Sequence, residues 1–228
     1  MENTKKSILK LIDQLIAENS LSLNELKKYS QDVRNITDPN NVKWEMEQWY
    51  RTLGIECLTG KEFELSECPF SEEEIIHANT HNEMILCIPK GITREVFGKL
   101  FHIDSWALHD LLATPVTEKE DFWFKTSMKE IPDYLNISGI DAYRQIEDEN
   151  HINFSLERYL VFIARMRYIT GKTPDSEYWI WIPAGRYDRS GMLMAGFDKL
   201  GKFNVHGWMP RFQASFLGAR FGIKAGMQ

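Results

Sequence analysis

The chain has 228 residues, with 27 Lys and Arg against 33 Asp and Glu, a formal net charge of −6. With 43% apolar and 26% charged residues, it has the composition of a globular protein, which excludes a disordered tail, a collagen-like fibre and a disulfide-dense miniprotein. A chain of this length buries roughly 70% of its unfolded surface, so it needs no metal or disulfide to fold.

The longest apolar run, Tyr159 to Ala164, is closed by Arg165. It is far short of the about 20 residues that a membrane-spanning helix requires. Lys10 and Asp13 interrupt the apolar N-terminal stretch, which argues against a secretory signal, and Glu2, Asp13 and Glu18 argue against a transit peptide. The three cysteines, Cys57, Cys68 and Cys87, are odd in number and form no C-x-x-C pair. The expectation is a reduced, cytoplasmic protein that does not associate with a membrane.

In chain order, Ile8, Leu11, Ile12, Leu15 and Ile16 follow the stripe of an amphipathic helix. Ser22 and Glu25 form a capping-box pattern for a second helix. The turn Thr37–Asn41 leads into a third through Trp44 and Trp49, with Pro39 suited to its first position and Gly54 to its end. Residues 62–83 carry seven glutamates and no Lys or Arg. Ser71 and Glu74 make a further capping box, with Phe70 placed to staple to Ile75. Met84–Ile88 is an apolar run that reads as a buried strand. After Pro89–Ile92, Thr93 can cap a helix to about His102. Asp104 or Ser105 can start another helix through Leu111 and Leu112, which Pro115 stops. Phe122–Phe124 reads as a short strand. Ile140, Tyr143 and Ile146 suggest a helix. Ser155 opens the most apolar helix, Leu156 to Thr170, and Gly171 closes it.

The composition then changes. Nine of the 14 glycines fall after residue 170, and the last 58 residues carry eight Lys and Arg against four acids, a local charge of +4. The first 170 residues carry 19 against 29, or −10. Four short strands fit this segment, at about 177–183, 190–197, 202–209 and 213–223, with Asp198–Gly201 as a hairpin turn. The expected fold is α+β: a helical N-terminal part, a mixed α/β middle and a C-terminal antiparallel β-meander packed on the buried helix 156–170. Nothing in the chain forces a second domain. Residues 1–228 read as a single domain, with a helical subregion 1–54 and an α+β body 55–228.

Strand alternation places Tyr178, Ile180 and Ile182 on one face, and Trp179 and Trp181 on the other. Likewise Phe203 and Val205 oppose Asn204, His206 and Trp208. If helix 156–170 covers the apolar face, the other presents Trp179, Trp181, His206, Trp208, Arg211 and the loop bearing Arg186 and Arg189. Trp and Arg together are the composition of a binding surface. For these side chains a second core layer, with N-terminal helices covering the indoles and the arginines merely solvated, ranks above a binding surface, since buried aromatics are usually core.

A metal site from Cys57, Cys68, His77 and His81 is the weaker reading, because structural zinc sites place cysteines two to four residues apart and this chain does not. His102 and His109, with Asp104 and Asp110, could serve acid–base chemistry beside Ser105, Ser190 or Ser215. None of these serines sits in G-x-S-x-G. Pro89–Thr93 could present backbone amides to an anion, although it matches neither phosphate-binding glycine motif. A net charge of −6 weighs against nucleic acid as the partner. No motif calls for a cofactor, and no catalytic residue is assigned. The leading expectation is a non-catalytic protein that binds another protein, or itself, through the C-terminal sheet; a small-molecule ligand is compatible with it. The alternatives are a hydrolase-like enzyme, metal-assisted in one version, and a homo-oligomer assembled through the N-terminal helices.

Overall fold

The computed structural model describes residues 37–110, 112–188 and 191–227. The two helices expected before residue 37, together with Leu111, Arg189 and Ser190, lie outside them. Asp38–Gln228 forms one compact unit, so the helix through Trp44 and Trp49 belongs to the same unit as the strands that follow.

Helix α1 (Pro39–Thr52) starts on Asp38, whose carboxylate accepts from the Asn40 amide, with Pro39 at the first helical position. Gly54, at φ 89°, turns the chain into the short α2 (Ile55–Thr59). Ser71 and Glu74 form the reciprocal capping box of α3 (Glu72–Thr80). Strand β1 (Glu83–Ile88) pairs antiparallel with β2 (Phe122–Ser127). Between them, Thr93 caps α4 (Arg94–Phe101).

The helix expected through Leu112 is instead one 3-10 turn, Trp106–Leu108. The carbonyls of Asp110 and Ala113 accept from the Arg94 guanidinium, and the Leu112 amide donates to the Asp110 side chain at 2.7 Å. Backbone and side-chain groups that a longer helix would engage are thus committed elsewhere.

Strand β3 (Tyr134–Leu135) precedes α5 (Gly139–Asp148), β4 (Ile152–Asn153) and α6 (Leu156–Thr170). Ser155 caps α6, and Gly171, at φ 71°, ends it. The meander follows: β5 (Trp179–Tyr187), β6 (Gly191–Phe197) and β7 (Phe203–Trp208), each antiparallel to the one before. Asp198 closes the β6–β7 turn by accepting the Leu200 and Lys202 amides, both at 2.9 Å, with Gly201 at φ 75°. The 213–223 stretch divides in two. β8 (Leu217–Ala219) crosses to the far side of β5 and pairs with it in parallel, while β9 (Phe221–Gly222) pairs with β4. The main sheet therefore runs β3-β8-β5-β6-β7. The register of β5 on β6 slips between Ile182 and Arg186. Pro183 has no amide hydrogen to give the ladder, so the irregularity falls there.

One face of the sheet packs on α6. Ile180, Ala195 and Val205 lie in one row and Phe197 and Phe203 in another, all buried, and Tyr159 of α6 meets Phe203 at 6.3 Å. The other side of α6 meets α4 and β1, so the helix is buried almost all round, as its apolar sequence expects. Below it lies a buried ion cluster. The Arg220 guanidinium donates to both oxygens of Asp175 at 2.7 Å, and to the carbonyls of Lys129 and Ile131. It stacks on Phe162 at 4.5 Å. Burial alone would lower the pKa of this guanidinium, and the Asp175 carboxylate more than reverses it. No helix among the described residues is long and apolar enough to cross a membrane.

Candidate functional site

The second face of the main sheet is divided between core and surface. Helix α5 lies across its middle and buries Trp181, Met192 and Met194 together with Ala142, Ile146, Leu217 and Ala219. Trp181 is fully buried, and its indole N–H donates to the Ile137 carbonyl at 3.0 Å. Trp181 is therefore a core residue, and the expectation that it lines a binding surface is corrected. Within the described residues the cover is α5, rather than the N-terminal helix α1, which contacts α2 and β1. The close fit needs Gly139 at the start of α5: a Cβ there would stand 2.6 Å from the Met192 sulfur.

The remainder of this face stays open. Trp179 is half-buried against the exposed His206, ring centres 5.0 Å apart. Trp208 is 46% exposed and meets Phe212, 38% exposed, edge to face at 6.0 Å. Met209 and Phe216 are 69% and 47% exposed. The segment from Met209 to Phe216 crosses from β7 back towards β8 and holds these groups in place. Phe212 N–H donates to the Met209 carbonyl, Ile140 N–H to Pro210 and Trp179 N–H to Phe216, at 2.9–3.0 Å. The Gln213 amide donates to the Asn136 carbonyl at 2.5 Å. Arg186 and Arg211 are exposed. Of the seven residues expected to form the surface, the fold thus leaves Arg186, His206, Trp208 and Arg211 accessible and Trp179 half so. Trp181 is withdrawn and Arg189 is undescribed. Alternation along a strand 202–209 puts Met209 on the covered face with Phe203 and Val205, and Phe216 falls in the expected strand 213–223. Because β7 ends at Trp208 and β8 begins at Leu217, both lie with Phe212 in the connecting segment, where alternation does not apply and all three are exposed.

Cys57, Cys68, His77 and His81 do not converge. Among the described residues no group of three or more His, Cys, Asp or Glu is placed to share a metal ion. His77 and His81 stack ring on ring at 3.8 Å, and the Nδ1 of His81 lies 2.8 Å from the His77 carbonyl, so this pair finishes helix α3. Cys57 is exposed, whereas Cys68 is buried, which pushes its thiol up to about 11.

His109 Nε2 lies 3.8 Å from Asp104, both exposed. Asp110 is engaged in its own turn, and no hydrogen bond among the described residues joins Ser105 to either histidine. At Pro89–Thr93 the amides of Lys90, Gly91 and Ile92 donate to Asp121, the Glu118 carbonyl and the Pro89 carbonyl, so the loop spends these donors within the fold. Much of the acidic run is likewise engaged in the fold: Glu64 and Glu67 meet Lys43, Glu74 caps α3, Glu72 and Glu73 stand in its first turn, and Glu83 pairs with Lys125 at 3.0 Å.

No protein-family model, curated protein or solved structure matches the chain.

Proposed function

We propose that this is a non-catalytic, cytoplasmic binding protein that captures a protein partner on the open part of its C-terminal sheet. The observation that carries the reading is the exposed pair Trp208 and Phe212, edge to face at 6.0 Å, with Met209 and Phe216 exposed on the same segment and Arg186 and Arg211 exposed as well. Contiguous apolar groups left uncovered on a monomer mark interaction sites, and Trp and Arg dominate binding hot spots. The backbone bonds that tie down the Met209–Phe216 segment mean that little ordering entropy is lost on association. The local +4 of the last 58 residues favours an acidic partner surface.

The test compares immobilised wild-type protein with a Trp208→Ala, Phe212→Ala, Arg211→Ala variant in cell lysate, followed by titration of the captured protein in purified form. The variant should keep its melting temperature and bind that protein at least about thirtyfold more weakly, since truncating a hot-spot side chain costs about 2 kcal/mol or more. The wild-type affinity should fall with added salt. Equal capture and affinity for the two proteins would refute the reading.

A further inference from the structure

The segment after β7 carries one group whose own chemistry partner capture does not use, the thioether of Met209. The Phe212 amide donates to the Met209 carbonyl at 3.0 Å, which closes a four-residue turn and fixes the backbone of both. The Met209 side chain is nonetheless 69% exposed, next in the chain to Trp208. Among the described residues no other methionine stands so far out. Met46, Met84, Met166, Met192 and Met194 are buried. Met128 and Met227 are half-buried, and the Met227 sulfur accepts from the Asn150 side-chain nitrogen at 3.7 Å.

Exposure decides which thioether an oxidant reaches first. Hydrogen peroxide meets the Met209 sulfur in the native state, whereas at a buried methionine the fold has to open locally before the same encounter. The S=O bond forms as the peroxide O–O bond breaks; the sulfur gives up two electrons, and the second peroxide oxygen leaves as water. The product is a polar side chain in place of a flexible apolar one. On the flank it sets a strong acceptor beside Trp208 and Phe212, and covering that acceptor with a partner that offers it no donor costs its desolvation. A thiol-dependent reductase reverses the change: the sulfoxide oxygen leaves as water while two thiols become a disulfide.

We propose that Met209 is a reversible, peroxide-sensitive modification site, and that its sulfoxide switches off partner capture by the open flank. The switch rests on the reading of that flank as a binding surface. A bound partner covers the thioether, so the oxidant acts on the free protein and holds it free. Cys57 is also exposed, but a sulfenic acid or disulfide formed there is undone by dithiothreitol, which leaves a sulfoxide intact.

The experiment treats the full chain with millimolar hydrogen peroxide and then dithiothreitol, and follows sulfoxide at each methionine by peptide mass spectrometry. Met209 should be oxidised at least about tenfold faster than any other described methionine, and the two methionine sulfoxide reductases together should restore it. The protein captured by the flank, in purified form, should bind the oxidised chain about tenfold more weakly. Met209→Leu, which keeps the apolar volume, should bind that protein as the wild type does and lose nothing on peroxide treatment. Another described methionine oxidised as fast as Met209 would overturn the proposal. So would an affinity unchanged by oxidation, or an equal loss in oxidised Met209→Leu. If the triple variant of the flank binds weakly while oxidised wild type binds fully, the switch fails and the binding surface stands. If the triple variant binds fully, the surface itself is refuted and the switch with it.

Discussion

Replacing Arg220 with methionine should lower the stability of the fold by about 3–5 kcal/mol, the cost of removing one partner of a buried ion pair. Arg220 and Asp175 are both fully buried and joined by two bonds of 2.7 Å. Without the guanidinium, Asp175 keeps a bond from the Tyr159 hydroxyl at 3.1 Å, and the Lys129 and Ile131 carbonyls lose their donor. The penalty is that of an uncompensated buried charge, so neutralising the partner should recover part of it. Asparagine suits position 175 for this purpose, since the backbone there has φ 54° and Asn tolerates the left-handed region. Urea unfolding followed by circular dichroism should give a lower midpoint for Arg220→Met at unchanged slope, and an intermediate midpoint for the Arg220→Met, Asp175→Asn pair. A single variant as stable as the wild type would show that the cluster is not what ties the end of β8 to the loops beneath α6.

Trp181→Ala should cost a further well-defined amount, about 3–5 kcal/mol, by opening a cavity between the main sheet and α5. The indole is fully buried among Ala142, Ile146, Met192 and Leu217, and its N–H satisfies the Ile137 carbonyl. Trp208→Ala, on the same face of the same sheet, should change stability by less than about 0.5 kcal/mol, as exposed substitutions do. The contrast checks the division of this face into core and surface, and thermal and urea unfolding of the two variants measure it. Similar losses for both would mean that α5 does not separate the two indoles.

The signals read correctly from the sequence are those whose cause is local. Ser71 with Glu74, Thr93 and Ser155 cap helices because a side-chain oxygen reaches an amide two or three residues on, and Gly171 and Gly201 take the left-handed turns that follow. The alternation of Ile180 and Ile182 against Trp179 and Trp181 assigned faces correctly, because the pleat is also local. What covers a face is not. Trp181 is enclosed by a helix about 40 residues earlier in the chain, which fits only because Gly139 and Ala142 are small. Arg220 registers in the sequence only as part of the local charge of +4, and its partner Asp175 lies 45 residues away. The crossover of β8 to the parallel edge of β5 has no periodic signature in the sequence.

Hydroxyl-radical footprinting of the free protein and of its complex with the captured partner tests the open flank most directly. Trp208, Met209, Phe212 and Phe216 should be modified rapidly in the free protein and shielded in the complex, with Trp181 shielded in both. Slow modification of those four residues in the free protein, or reactivity undiminished in the complex, would contradict the account.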